Sequence, residues 1–372
     1  MEPAELTDGS VRLRRHRDGD LDGIVEQCTD PESRRWTTTP VPYERRHAEE
    51  FLTRAAVGWQ TGDSFLAFAI ADPATDEFLG TIDVRPDGTG GAEVGYGLCP
   101  SARGKGVMAA ALRLVAGWAL DPAQLGVEVL RWRAFVGNWA SRRTAWKAGF
   151  KMEGTVRGGT VQRGVRRDDW AASLRAGEPR RPVDRWLRAE VLKGERVTLR
   201  PFRESDADAC VEACTDPVTR SWLPELPDPY TPDDASAYIR SREEEHATGY
   251  GVHWCAADAD DACVGSFGLT GIGRGSAEIG YWLHPKARGR GAAAEAVRLA
   301  CAHAFAPEDA GGLGLARVDL RAAAGNAASR RVAERAGFTR VGRQRGHPMP
   351  DGSRQDFVTY DLVAADRSAG TG

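Results

Sequence analysis

Two arginines and two glycines stand directly before an alanine-rich run in HPKARGRGAAAEA, residues 284–296. The pattern suits phosphate binding, because the first N–H groups of a helix are unpaired and carry a partial positive charge. Gly289 and Gly291 let the backbone approach such a group closely. Arg288 and Arg290 supply positive charge. A single copy of this pattern could equally be a solvated turn in which the glycines are needed only for their backbone dihedral angles.

The same pattern occurs twice along the chain. CTDP at 28–31 recurs at 214–217, and GNWASRRTAWKAGF at 137–150 recurs at 325–338 with ten of fourteen positions identical. The first copy also places an arginine- and glycine-rich loop, SARGKG at 101–106, after a strand and before a helix. Recurrence in one context favours phosphate binding over a simple turn. Two copies with so long a period indicate a duplicated domain rather than a solenoid.

Length and composition agree with two domains. A chain of 372 residues with 41% hydrophobic and 28% charged residues is typical of a globular protein with two cores. We predict an N-terminal domain at 1–178, a proline-bearing linker at 179–192 and a C-terminal domain at 193–364. The last residues, 365–372, are small and polar and are expected to be disordered.

Composition also excludes several classes of function. A net charge of −3 and the lack of aromatics among the basic clusters argue against nucleic-acid binding. No apolar leader or long apolar run indicates secretion or a membrane, so we expect a cytoplasmic protein. Seven cysteines without C-x-x-C spacing indicate reduced, buried thiols, and the histidines form no metal-binding pattern, so no metal is expected.

The order of predicted elements is the same in both copies. A strand leads into two helices, two further strands follow, and the AE-x-GY strand runs into the glycine-rich loop and an alanine-rich helix. Another strand, the GN-x-AS helix and a hairpin complete each copy. Strands that alternate with helices but include hairpins predict an α/β (α+β) fold, in which a mixed sheet is covered by helices on both faces.

Three motifs in this order resemble a known family. The order R-x-x-G-x-A, at Arg288, Gly291 and Ala293, resembles the acyl-coenzyme A signature of the GNAT superfamily of N-acetyltransferases. The AEIGYWL strand and the GN-x-AS helix resemble the subgroup that includes ribosomal-protein N-terminal acetyltransferases. The resemblance covers almost the whole chain as two tandem GNAT domains. It implies acetyl-CoA as the cofactor and, in each copy, a sheet that is partly splayed.

The resemblance also implies the cofactor-binding residues. The loop backbone would cradle the pyrophosphate, and the edge of the preceding strand would pair with the pantetheine arm. In the second copy these residues are Leu283, His284, Arg288, Gly289, Arg290, Gly291, Ala292, Ala293 and Asn326. In the first copy they are Leu98, Arg103, Gly104, Lys105, Gly106, Val107, Met108 and Asn138. Met108 departs from the small residue of the pattern and is expected to crowd the phosphate.

Candidate catalytic groups flank the same cleft. Glu93 and Glu278 begin the AE-x-GY strands and could take the proton of an ammonium group, or could simply hold a neighbouring arginine. Ser141 and Ser329 lie in the first turn of the GN-x-AS helix; the resemblance implies that they approach the sulfur and protonate the departing thiolate. An ordinary first-turn residue is the alternative. Asn138 and Asn326 are in any case expected to cap this helix.

Two further positions differ between the copies. Tyr360 on the last strand is another candidate acid, and counting back from the hairpin makes Ser173 its counterpart. Cys99 stands where the second copy has His284. A nucleophilic cysteine would permit a covalent acyl intermediate, but no histidine is placed beside it, which favours a buried thiol.

The loops after the first helix carry the candidate acceptor contacts. Trp222 and Tyr230 in the second copy, and Trp36 and Tyr43 in the first, could receive a cationic amine. These loops differ more than the cofactor motifs do, so the two copies could handle different acceptors, or one could support the other.

The leading hypothesis is an acetyl-CoA-dependent N-acetyltransferase that works by direct attack in a ternary complex. The acceptor could be the α-amine of a protein or peptide, or an amine of a small molecule. One alternative is a sensor or scaffold that binds acetyl-CoA with one or both domains catalytically degenerate. Another is a tandem acyltransferase of small-metabolite biosynthesis, such as mycothiol synthase, or of antibiotic resistance. The oligomeric state does not follow from the sequence.

Overall fold

The chain folds into two compact units that divide between Val183 and Asp184. The computed structural model describes residues 5–62, 64–349 and 352–368. Each unit contains one eight-stranded sheet, and the two sheets have the same topology. The duplication expected from the repeated motifs is therefore also a duplication of the fold.

The first unit places its helices between consecutive strands of a mixed sheet. Its strands run in the order β1-β2-β3-β4-β5-β6-β8-β7. The elements are β1 (Leu6–Thr7), β2 (Arg12–Arg14), α1 (Leu21–Thr29), α2 (Pro31–Trp36), α3 (Arg45–Thr61), β3 (Leu66–Ala71), β4 (Phe78–Pro86), β5 (Gly91–Leu98), α4 (Val107–Ala119), β6 (Val129–Phe135), α5 (Trp139–Lys147), β7 (Lys151–Gln162) and β8 (Val165–Arg175).

The second unit repeats this order with small changes in length. Its sheet order is β15-β16-β14-β13-β12-β11-β10-β9. The elements are β9 (Leu192–Lys193), β10 (Thr198–Arg200), α6 (Ala207–Thr215), α7 (Pro217–Trp222), α8 (Pro232–Thr248), β11 (Gly251–Ala257), β12 (Cys263–Gly273), β13 (Ser276–Leu283), α9 (Ala292–Phe305), β14 (Arg317–Ala323), α10 (Ala327–Arg335), β15 (Thr339–Pro348), β16 (Arg354–Val363) and α11 (Ala364–Ser368).

One strand pair in each sheet is parallel, and it pairs only at its beginning. Strand β5 pairs with β6 from Gly91 to Val94, although β5 continues to Leu98. Strand β13 pairs with β14 only from Ser276 to Glu278. The unpaired ends leave a gap in the sheet, so each sheet is mixed and partly splayed, as the resemblance implied.

The main core of each unit lies between the sheet and its alanine-rich helix. Along α4, small and aliphatic residues such as Ala111, Leu112 and Val115 are fully buried. The other sheet face is covered by α1 and α3, whose Ile24 and Ala48 form a smaller apolar cluster. Burial on both faces explains why β3 is apolar along its whole length rather than alternating.

A buried ion pair fixes the start of each unit. Arg14 donates from Nη1 and Nη2 to the two carboxylate oxygens of Asp20 at 2.8 and 2.9 Å, and both side chains are buried. Arg200 and Asp206 repeat this bidentate geometry at the same two distances. Bidentate pairing with a planar guanidinium satisfies both charges, which burial otherwise penalises.

The segments on either side of the unit boundary pack on their own units. Leu187 and Ala189 are buried in the core of the second unit, and the indole N–H of Trp254 donates to the carbonyl of Glu190 at 2.9 Å. Much of the predicted linker is thus ordered. Residues 364–368 form α11 rather than the expected disordered tail, and residues 369–372 lie outside the described residues.

We expect Asp20→Asn to lower the free energy of unfolding of the first unit by about 1.5–3 kcal/mol, because Arg14 would lose a buried bidentate partner and keep only one carboxylate contact, from Nε to Asp76 at 2.7 Å. Urea unfolding of the full chain should show one earlier transition and one unchanged transition. Asp22→Asn is the control, since Asp22 has 89% of its side chain exposed. Equal effects of the two substitutions would contradict this account.

Candidate active site

The arginine- and glycine-rich loop opens a helix in both units. Gly104 and Gly106 have φ values of +76° and +83°, and Gly289 and Gly291 have +78° and +81°. Gly106 and Gly291 are the N-cap residues of α4 and α9, and having no side chain they cannot cap the helix. The first N–H groups of each helix are therefore left for a ligand, and positive φ explains why glycine is required.

The first arginine of each loop does not face that helix start. Arg288 donates from Nη2 to Asp216 at 2.6 Å and to Thr219 at 2.7 Å, and from Nε to the carbonyl of Leu283. Arg103 makes the matching contacts to Asp30 and Ser33. These side chains tie the loop to α7 and α2 instead of making the charge-assisted phosphate contacts that the sequence suggested.

Other cations are available at the two loops. Lys105 and Arg290, the second basic residue of each loop, are exposed. Arg196 was missed by sequence reasoning: its guanidinium lies beside Gly291, where Nε would be 3.8 Å from a Cβ at that position. Arg196 precedes β10 and is about 95 residues away in sequence, so only the fold brings it to the loop.

Met108 is the second residue of α4, directly after the loop. Its side chain is buried in the main core of the first unit, as Ala293 is in the second. The larger residue is therefore accommodated on the core side of α4. The matching residue of the second unit, Ala293, lines the cleft there, so crowding of a phosphate by Met108 stays a prediction.

The gap between the parallel strands exposes one row of backbone donors. The N–H of Cys99 is used by the neighbouring strand, donating to Leu79 at 2.9 Å, and that of His284 donates to Val264 at 2.8 Å. Because N–H groups alternate along a strand, those of Leu98 and Leu283 point into the gap. The His284 side chain is also engaged, through Nε2 with Glu212 at 3.0 Å.

A tyrosine and a serine meet at the mouth of each gap. The hydroxyls of Tyr96 and Ser141 are 3.0 Å apart, and those of Tyr281 and Ser329 are 2.9 Å apart. In the first unit the indole N–H of Trp132 also donates to the Tyr96 hydroxyl at 2.8 Å. Burial raises the pKa of Tyr281 to about 12, so the hydroxyl is protonated at neutral pH and can donate.

The helix caps follow the sequence prediction. The side-chain oxygen of Asn138 accepts from the N–H of Ser141 at 3.1 Å, and that of Asn326 accepts from Ser329 at 3.0 Å. The cap orients the first turn of α5 and α10, and so places each serine hydroxyl beside its tyrosine.

Tyr360 is a core residue rather than a wall of the cleft. It is 1% exposed, and its hydroxyl donates to Glu334 at 3.4 Å. Its counterpart is not Ser173: Tyr360 pairs with Leu320, and the matching pair in the first unit is Ala172 with Trp132. The count from the hairpin was wrong by one residue, because bulges shift the register of these hairpins.

The two candidate bases are held by arginines. Glu93 accepts from Arg85 Nη2 at 3.0 Å. Glu278 accepts from Arg321 Nε at 3.0 and 3.1 Å. Their contacts are those of the alternative in which each glutamate holds a neighbouring arginine. Both glutamates also line a cleft beside the splayed strands.

The clefts themselves differ in size and extent. The cleft of the second unit has a volume of about 780 Å³ and joins the loop at Arg288–Ala294 to Glu278, Ser329 and Trp222. The cleft of the first unit has about 390 Å³ and is lined by Trp36, Tyr43, Glu93 and Tyr96. Among the described residues, the lining of the smaller cleft does not reach its glycine loop. Tyr230 is buried in an apolar cluster with Cys210 and lines neither cleft.

Thiols also cluster where sequence spacing gave no sign of it. All seven cysteines are free and buried. Cys255 and Cys263 have sulfur atoms within 4.8 Å of each other and of the Asp206 carboxylate, but that carboxylate is already paired with Arg200. Burial raises the pKa of Cys99 to about 12, which keeps this thiol protonated and supports the buried-thiol interpretation over a nucleophile.

Each unit thus places a splayed strand pair beside a helix that begins at a glycine and has no side-chain cap. The family model for the acetyltransferase (GNAT) domain matches residues 10–151 and 196–339. The chain therefore belongs to the GNAT family, with two copies of its domain, and is an acetyltransferase. Members of the family use acetyl-CoA, which fits the uncapped helix starts and the small residues at Ala292 and Ala293.

Individual relatives match a little under half of the chain. A putative ribosomal N-acetyltransferase, YdaF, of Bacillus subtilis is 29% identical over 174 residues, which is 45% of this chain and 92% of that protein. A probable N-acetyltransferase, YjcK, of the same organism is 29% identical over 185 residues, 47% of this chain and 98% of its own length.

Solved structures are similar over the same extent. Mycobacterium smegmatis RimJ in complex with CoA-disulfide is 21% identical, with a TM-score of 0.43, and the match covers 48% of this chain and 89% of that one. A GNAT acetyltransferase from Bacillus anthracis is 23% identical, with a TM-score of 0.40, over 47% of this chain and 98% of its own. No helix among the described residues is long and apolar enough to cross a membrane.

We expect Arg288→Ala to weaken acetyl-CoA binding by roughly tenfold through loss of its tie to Asp216, since hydrogen bonds to charged groups contribute about 1.5–3 kcal/mol. Asp216→Asn should weaken binding similarly, and the double variant should be no worse than either single one. Calorimetric titration measures all three. Additive effects would show that the arginine contacts the phosphate directly, and unchanged affinity would remove the loop as the binding site.

Proposed function

We propose that this protein transfers the acetyl group of acetyl-CoA to a primary amine by direct attack in a ternary complex. The observation that carries the proposal is the convergence, in the second unit, of the glycine loop, Glu278 and Ser329 on one cleft. Cofactor loop, candidate base and candidate acid thus face one space, as a ternary complex requires.

The residues divide the chemistry between them. Acetyl-CoA supplies the acetyl group as an activated thioester. The loop backbone from Gly289 to Ala293 holds the phosphates, and the N–H of Leu283 polarises a carbonyl in the gap. Glu278 takes the ammonium proton, and the Tyr281–Ser329 hydroxyl pair delivers a proton to the sulfur. The first unit has the same backbone and hydroxyl groups in Leu98, Tyr96 and Ser141, and Glu93 stands at the position of Glu278.

The acceptor we favour is the α-amine of a protein or peptide. YdaF is named a putative ribosomal N-acetyltransferase, and RimL, another similar structure, a ribosomal L7/L12 α-N-protein acetyltransferase. The cleft of the second unit is open and about 780 Å³, room for the first residues of a peptide beside Trp222. A small amine is the alternative, since MccE, crystallised with acetyl-CoA and AMP, is a self-immunity acetyltransferase.

We expect calorimetric titration to show two acetyl-CoA sites per chain. Gly106→Asp and Gly291→Asp should each remove one site, because a carboxylate at an αL position beside the helix start repels phosphate. Gly9→Asp is a matched control, since Gly9 also has a positive φ and open space but lies away from the loops. Unchanged stoichiometry in both loop variants would contradict the cofactor assignment.

In the Gly106→Asp chain, we expect Glu278→Gln to lower kcat about a hundredfold with little change in acetyl-CoA affinity, the usual size of a lost general base. Release of free CoA thiol, with peptide and small-amine acceptors in excess, measures turnover. Asp319→Asn is the control, because Asp319 lies on the neighbouring strand and pairs with Arg317. Normal turnover at neutral pH would remove Glu278 as the base.

A further inference from the structure

A carboxyl group that sequence reasoning passed over lies in the cleft of the first unit. Asp83 is on β4, directly opposite Gly95 of the splayed strand β5. Only 14% of its side chain is exposed, and that surface lines the same cleft as Glu93 and Tyr96. Asp83 therefore faces the space in which an acceptor amine would approach the gap between the strands.

The contacts of Asp83 are few for a buried carboxylate. Arg85 Nε lies 3.3 Å from Oδ1, but Oδ1 accepts no hydrogen bond from any described residue. Arg85 instead donates to Glu93. A buried carboxylate normally accepts several hydrogen bonds. Oδ1 is itself enclosed, so a donor in the cleft would reach Asp83 through Oδ2, which lies opposite Gly95.

The opposing strand is built to leave this carboxylate accessible. A Cβ atom at Gly95 would lie 3.0 Å from Asp83 Oδ2 and 2.9 Å from Arg85 Nη2. Any side chain there would displace both groups. The absence of a side chain at this strand position keeps open the route from Asp83 to the gap.

The electrostatic surroundings suit a proton acceptor. Burial raises the pKa of Asp83 to about 6 from its ordinary value of 3.8; Arg85 and Arg54 lower it in part, and Glu93 raises it further. Arg133 and Asp169 complete the charged lining of the cleft. A carboxyl with a pKa near 6 is ionised at neutral pH and still basic enough to take a proton from an ammonium group.

The second unit has no carboxyl group at the position of Asp83, so the two sites differ there. In the register of β12 the position of Asp83 is taken by Gly268, opposite Gly280. The adjacent strand carries the buried His253 at the position of Ala67, paired with Glu245 at 2.6 Å, and His253 does not line the cleft. The two clefts therefore present different titratable groups to an acceptor.

We propose that Asp83, rather than Glu93, is the proton acceptor for the amine in the first unit, a role that rests on the proposed acetyl transfer. The ammonium R–NH₃⁺ gives one proton to the Asp83 carboxylate and becomes R–NH₂. The C–N bond forms and the C–S bond breaks; the second proton leaves nitrogen and reaches the sulfur through the Tyr96–Ser141 pair. Asp83 then releases its proton to solvent.

The test uses the full chain with Gly291→Asp, so that turnover reports the first unit. Alanine-, serine- and glycine-initiated tetrapeptides and 1-aminopropane serve as acceptors, and CoA thiol release is measured from pH 5 to 9. We expect kcat/KM to fall below pH 6, which gives the pH profile an acidic limb. Asp83→Asn should lower kcat about a hundredfold and abolish this acidic limb. Glu93→Gln should keep the limb, and Asp83→Glu should restore part of the rate.

A second measurement separates this role from a structural one. Because the folded-state pKa of Asp83 is raised, ionisation destabilises the fold as pH rises from about 4 to about 6. Asp83→Asn should therefore raise the thermal midpoint of the first unit at pH 7 while lowering its activity, a combination that a merely structural residue would not give. A lower midpoint would contradict the proposal.

The outcomes distinguish failure of the proposed acetyl transfer from failure of the role proposed for Asp83. Loss of both acetyl-CoA sites in the Gly291→Asp chain, or normal binding without turnover of any acceptor, would overturn acetyl transfer by the first unit and Asp83 with it. Normal turnover by Asp83→Asn, or loss of the acidic limb in Glu93→Gln alone, would overturn only the assignment of Asp83.

Discussion

Each unit depends on a parallel strand pair that shares only its first residues. Strands β5 and β13 are held along their length by antiparallel neighbours, which use the N–H groups of Cys99 and His284. The other edge of each strand is released after Val94 and Glu278. Backbone N–H groups therefore face a gap while the strand stays in the sheet through its other edge. The loop, the capped helix and the tyrosine hydroxyls are all arranged around that gap.

The two units keep this frame while exchanging the side chains that fill it. Trp132 stands opposite Ala172 in one sheet, and Leu320 stands opposite Tyr360 in the other. A large aromatic residue thus enters the core of each unit from one of two adjacent strands. Swaps of this kind are well tolerated by a packed core, so duplicated domains can diverge around an unchanged backbone.

The arginines of the loop have two different tasks. Arg103 and Arg288 are the same residue in both copies, and each donates from Nη2 to an aspartate and to a hydroxyl. Lys105 and Arg290 differ and are exposed, as expected where only positive charge is required. The first arginine therefore ties the loop to the short helix that follows the first helix of the unit.

The sequence by itself determined what is local or repeated: two domains, the order of their elements, the αL glycines before α4 and α9, and the asparagine caps. Tertiary structure alone decided which distant groups meet. Arg288 contacts a residue 72 positions away, Arg196 reaches the loop from the segment before β10, and Asp83 faces Gly95 only through the register of β4 with β5. Periodicity and spacing in the sequence encode backbone dihedral preferences and the face of an element on which a residue lies. Burial depends on which strands become neighbours, and the pKa of a carboxyl group depends on its burial.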